Sequence, residues 1–149
     1  MNIQTKFHGE LEIHPDQLWD FPKGIPGFED ENQFALLSIE GNSAFQVLQS
    51  MTTPEVAFIV ANPYNLVENY SFDIDEPTID LLNIEKEEVV FVLGVISLKD
   101  PFETSTINLQ APLIFQTNTK KAKQMILNDN KFSLRHPIGN QVTATEGKA

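Results

Sequence analysis

The chain contains no cysteine, which excludes a disulfide framework and any thiolate zinc site and leaves the redox compartment open. Long hydrophobic runs are also missing, and the most apolar stretch, Val89 to Leu98, is too short to span a bilayer. The opening Met1-Asn2-Ile3-Gln4-Thr5-Lys6 has no apolar run of the kind a secretory signal carries, so no membrane association and a cytoplasmic location are expected. Glycine is sparse and scattered, at seven residues in 149. None forms a phosphate-cradling loop followed by lysine, which discards nucleotide binding. Bases are scarce too, 10 Lys and Arg against 21 Asp and Glu, for a net charge of −11. That field repels phosphate backbones, so direct binding of RNA or DNA is not expected.

What the chain does have is enough apolar material, 41% of its residues, for one core. The expected organisation is a single domain over residues 1–140 and a polar, disordered tail over Gln141–Ala149. The acidity has a location: Met1 to Thr119 holds 19 acids and 4 bases, whereas Lys120 to Arg135 holds 5 bases and 1 acid. This polarity suits an acidic docking face as well as ordinary solvated charge.

Period-two patterning begins at once, with Ile3, Thr5, Phe7, Leu11 and Ile13 on one parity and Gln4, Lys6, Glu10 and Glu12 on the other. Gly9 in the middle predicts a bulge or bend, hence two short strands or one bent strand over Asn2–Ile13. Asp16–Asp20 has room for about one helical turn before Pro22. In Ile25-Pro26-Gly27-Phe28, proline presets the first central position and glycine frees the second, which predicts a type II turn. Short apolar runs follow at Phe34–Ile39, Ala44–Gln49, Val56–Ala61, Tyr70–Ile74, Val89–Ser97, Ile107–Thr117 and Lys123–Leu127, and these read as strands. Turn material separates them, at Gly41-Asn42-Ser43, Asn62-Pro63-Tyr64-Asn65, Asp100-Pro101 and Asn128-Asp129-Asn130. Asp75 to Leu82 reads as a helix, with an acidic cap before Pro77 and with Ile79 and Leu82 on one face. The fold class expected is mainly β, a single-domain, barrel-like fold of antiparallel strands with one or two short helices.

Chemistry is harder to find. His8, His14 and His136 are the available bases for a nucleophile, and none lies near a glycine elbow. Asp73, Asp75 and Glu76 could gather round a hard cation, but the central glycine and closing glutamate of a calcium loop are missing. Asp75 and its neighbours read better as strand-end acids capping the next helix. No metal, cofactor or catalytic residue is assigned, and the chain reads as a binding protein, not an enzyme. Apolar groups beside acids have the anatomy of an interface anchor with a charged rim. On that ground Phe7 and Glu10, Glu29 and Asp30, Gln49 and Met51, and Glu68 with Tyr70 are the candidate partner-binding residues.

Five strings occur in order: Gly24-Ile25-Pro26-Gly27-Phe28-Glu29, Leu48-Gln49-Ser50, Asn62-Pro63, Asn108-Leu109-Gln110-Ala111-Pro112-Leu113-Ile114 and Lys123-Gln124. Together they resemble the flagellar assembly factor FliW family over Thr5 to about Pro137. The resemblance implies a β-rich, barrel-like domain without enzymatic activity that binds two proteins in turn. One is flagellin; the other is CsrA, a small RNA-binding regulator that blocks translation of flagellin messenger RNA. A homeostatic switch follows, in which cytoplasmic flagellin holds the factor until export frees it to capture CsrA. The alternative reading is a flagellin chaperone that shields an aggregation-prone helix in an apolar groove and has no regulatory role.

Overall fold

The computed structural model describes residues 2–127 and 132–138. The tail expected at Gln141–Ala149 and the turn expected at Asn128-Asp129-Asn130 lie outside the described residues.

The first period-two run folds as a hairpin of β1 (Asn2–Thr5) and β2 (Gly9–Glu12), with Thr5 opposite Gly9. Gly9 takes φ +67°, and the Thr5 hydroxyl donates to the Gly9 carbonyl at 2.7 Å while accepting the His8 N–H at 2.8 Å. A 3₁₀ turn at Pro15–Gln17 then leads into β3 (Leu18–Asp20). The helical turn expected over Asp16–Asp20 therefore stops at Gln17. Leu18 is extended, and Leu18, Trp19 and Asp20 pair with Ala35, Phe34 and Gln33, so sheet pairing overrides the local preference. The strands β4 (Gln33–Ile39), β5 (Asn42–Ser50), β6 (Ala57–Ala61), β7 (Val90–Ser97), β8 (Thr106–Ile107), β9 (Leu113–Gln116), β10 (Lys121–Gln124) and β11 (His136–Pro137) complete the sheet.

The order β3–β4–β5–β6–β7 is antiparallel throughout. β7 also pairs with β9 and β9 with β10, and β10 meets β3 in parallel where Lys121 faces Asp20. The ring closes there, which is the expected barrel-like form. At the seam the Asp20 N–H donates to the Lys120 carbonyl at 2.9 Å. The Lys120 ammonium sits 4.0 Å from the Trp19 ring centroid and donates to the Asp16 carbonyl at 2.7 Å. β8 extends the β9 side of β7, and β11 borders β8.

Alternate residues of each strand fill the barrel, where Trp19, Phe21, Phe34, Leu48, Val60 and Phe115 are all buried. Phe115 stacks on Phe91 with centroids 4.8 Å apart and meets Trp19 edge-on at 5.0 Å. The outer face is covered as well. The hairpin lays Ile3, Leu11 and Ile13 over Ala35, Leu37 and Val47. The helix α1 (Glu76–Leu82) brings Leu82 onto Val92 and Ile114. Burial on both faces explains why Val89–Ser97 reads as an unbroken apolar run. Each such side chain contributes roughly 1.5–3 kcal/mol by leaving water.

The helix is where the sequence places it, and the Asp75 carboxylate accepts the Thr78 N–H at 2.9 Å as its N-cap. Three expected strands differ. Tyr70–Ile74 forms no named strand, and Phe72 and Ile74 dock as side chains on the outer cluster. The run Ile107–Thr117 is broken between β8 and β9, where the Asn108 side chain accepts the Gln110 and Ala111 N–H groups at 3.0 and 3.1 Å. The run Lys123–Leu127 is a strand only to Gln124, and β10 begins earlier, at Lys121. No helix among the described residues is long and apolar enough to cross a membrane.

Candidate protein-binding surface

Gln49 organises one rim of the barrel. It lies on β5 with no exposed surface, a position that requires every polar atom to find a partner. Its Oε1 accepts the Lys6 N–H at 3.0 Å, and its Nε2 donates to the Ser50 and Pro54 carbonyls, each at 3.1 Å. The hairpin turn that carries Phe7 is thereby fastened to the loop after β5.

Ser50 extends the chain of bonds. Its hydroxyl donates to Glu31 and accepts the Thr52 and Thr53 N–H groups at 3.0 Å, and the Thr53 hydroxyl donates to the other Glu31 oxygen at 2.9 Å. Glu31 in turn gives its N–H to the Phe28 carbonyl at 3.0 Å. The segment Ile25–Phe28 is a four-residue turn closed by the Phe28 N–H on the Ile25 carbonyl, with Gly27 at φ +89° as a type II turn requires. Glu29 accepts the Gly27 N–H at 3.0 Å. That bond, and then its own N–H, hold its carboxyl below the usual carboxylate range.

The hydrogen-bonded path thus runs from Lys6 through Gln49 and Ser50 to Glu31 and Phe28, and Phe7, Met51, Glu29 and Asp30 are chain neighbours of its members. Glu10 lies on the same hairpin, opposite Gln4 and exposed. Phe7 is 50% exposed and Phe28 39% exposed, the latter with its ring edge-on to Phe58 at 5.3 Å. Met51 is half-buried against the hairpin cluster. Sequence reading missed Glu31, Ser50 and Thr53 as the ties of this rim, because bonds spanning 19 and 22 residues leave no local pattern.

Two candidates are not exposed. Gln49 is fully covered, and Tyr70 is 4% exposed. Burial is the reason in both: Tyr70 packs among Tyr64, Phe72 and Phe132 and donates its hydroxyl to the Leu109 carbonyl at 2.7 Å. Burial, then the neighbouring Tyr64, push its phenol far above the ordinary range. Glu68 is exposed and lies two residues before Tyr70, away in sequence from the segments that form the rim.

The remaining chemistry resolves into capping. Thr78 engages Asp75 and holds its carboxyl below the usual range, through its side chain first and its N–H as well. Among the described residues no group of three His, Asp or Glu side chains is placed to hold a metal ion. His8 lies in the hairpin turn, His14 before the 3₁₀ turn and His136 on β11, in separate elements.

A model of the protein family described as "FliW protein" matches residues 2–138. The flagellar assembly factor FliW of Bacillus licheniformis is 44% identical over 141 residues, covering 95% of this chain and 99% of that one. The factor of the same name from Bacillus subtilis strain 168 is 43% identical with the same coverage. A crystal structure of the flagellar assembly factor FliW superposes with a TM-score of 0.88 at 36% identity, covering 93% of this chain and 97% of the other. With the motifs in order, the barrel closed as expected and the match running nearly end to end, this chain belongs to the FliW family of flagellar assembly factors.

Proposed function

We propose that this protein acts in the cytoplasm as a protein-binding antagonist of the translational regulator CsrA that also binds flagellin, coupling flagellin synthesis to export. The observation that carries the reading is the tied rim, where exposed Phe7 and Phe28 lie on the same segments as exposed Glu10, Glu29 and Asp30. An RNA-binding regulator presents a basic surface, and a chain of net charge −11 with aromatic anchors at its acidic rim is its complement. Binding needs neither a cofactor nor a covalent step. Flagellin competes for the factor, so that capture of one partner lowers the hold on the other.

The test is a charge reversal. Replacing Glu29→Lys and Asp30→Lys together in the full chain is expected to slow association with purified CsrA about tenfold at low salt. Both side chains are exposed, and the Gly27 N–H that Glu29 releases is open to water. Stopped-flow association rates that equal those of the parent protein would remove this rim from the CsrA site.

A further inference from the structure

The Asn62-Pro63 pair interrupts the barrel wall. In the β6–β7 ladder, Ile59, Val60 and Ala61 face Ile96, Val95 and Gly94. Two residues further along the same register Pro63 would fall opposite Val92, and proline has no N–H to give. The chain leaves the sheet there in a 3₁₀ turn at Pro63–Asn65, held by the Asn62 side chain accepting the Tyr64 N–H at 2.9 Å. Val90–Leu93 keeps β9 on one side. Among the described residues no strand pairs with its other side.

A groove of about 720 Å³ follows that side, and Val90, Phe91 and Val92 line it in succession. Consecutive side chains of a strand point to opposite faces. Phe91 accordingly packs with the barrel interior, and Val90 and Val92 with the outer cluster. A groove that meets all three runs along the strand's edge. The Val89 and Val95 carbonyls accept from Thr117 and Asn108 on the β9 side, so the even-numbered residues direct their backbone groups to the groove. The Val90 N–H is taken by the Glu87 carbonyl, which leaves the Val90 carbonyl and both backbone groups of Val92 facing it.

We propose that this edge accepts an extended, basic peptide segment of a partner protein as an added strand beside β7. Only extended backbone can answer the alternate N–H and C=O groups of a strand edge. Ile74, Ile79, Ile84 and Tyr64 form apolar walls. Asp73, Glu85 and Glu87 stand exposed along the groove against Lys86, an excess of negative charge that selects lysine or arginine in the occupant. The free stretch, Val90 to Leu93, is about 13 Å long when extended, enough for four residues. This inference does not depend on the rim or on CsrA.

The experiment uses the full chain and a fluorescein-labelled peptide, Lys-Val-Thr-Val-Thr-Lys, with two twins N-methylated at alternate residues, one for each parity. Expected are saturable binding in the micromolar range and a Val92 amide whose hydrogen exchange slows at least tenfold at saturation. At least one twin is expected to bind tenfold more weakly, and Glu85→Lys with Glu87→Lys to weaken the parent peptide at least fivefold. The proposal is overturned by no saturation at millimolar peptide, by unchanged exchange at Val92 in the complex, or by both twins binding like the parent. The last result would mark a groove that reads side chains alone, as it would those of a helix.

Discussion

Gln49 shows how one side chain decides the shape of a surface it never reaches. Its amide joins the hairpin turn at Lys6 to the loop carbonyls at Ser50 and Pro54, so Gln49→Ala leaves several partly buried groups without partners. We expect a loss of about 2 kcal/mol, read as a lowered urea midpoint, and faster hydrogen exchange at the Lys6 amide. A parent-like midpoint would show that water replaces the amide without cost. Asp75 gives a second prediction at this scale. Asp75→Ala removes the cap of α1 and is expected to cost about 0.5–1 kcal/mol, the lower part of the usual range because the carboxylate is exposed to screening solvent. Its folded pKa lies below the unfolded value, so its stabilisation is complete above the unfolded pKa and disappears as pH falls through the folded one. The difference between parent and variant should therefore be full near pH 7 and shrink towards the acid limb; a difference independent of pH would contradict the charged cap.

At the scale of the element, Gly24 and Gly27 sit in the same turn region yet make different demands. Both have positive φ, +65° and +89°. A Cβ on Gly24 would stand 2.6 Å from the Glu29 Cα, whereas one on Gly27 would meet nothing within 4 Å. Gly27→Ala should cost only about 1 kcal/mol of backbone strain, and Gly24→Ala roughly 3 kcal/mol or more, because backbone must move. Equal melting temperatures for the two variants would sink this distinction. The same elements show what a sequence discloses. The hairpin at Gly9, the turn at Pro26-Gly27 and the cap at Asp75 were legible because each follows from a residue's own conformational needs. Tyr70–Ile74 was not, since Phe72 and Ile74 alternate as a strand does while docking on an outer cluster. Gln49 and Tyr70 stand among the candidates although both are buried, and only the folded chain reveals the carbonyls that take up their polar atoms.

For the molecule as a whole, the net charge of −11 sets the reach of recognition. Steered association weakens as salt contracts the Debye length from about 10 Å at 0.1 M to about 3 Å at 1 M. The proposed capture of CsrA should therefore slow at least tenfold over that range with a much smaller change in dissociation rate. An apolar helix shielded in a groove would barely respond, so a salt-independent on-rate would favour the chaperone reading. The closed barrel itself was expected from many short strands, but its closing contact was not, because a single parallel pairing of Lys121 with Asp20 leaves no periodic trace.

That seam has a consequence for biogenesis. Trp19 waits for Lys120, and β3 waits for β10, across about a hundred residues of intervening chain. A nascent polypeptide emerging from the ribosome cannot complete its ring until β10 has cleared the exit tunnel. Whatever the finished surface recognises, it is not offered for sampling before β10 has emerged, and a growing chain remains silent until that late strand arrives.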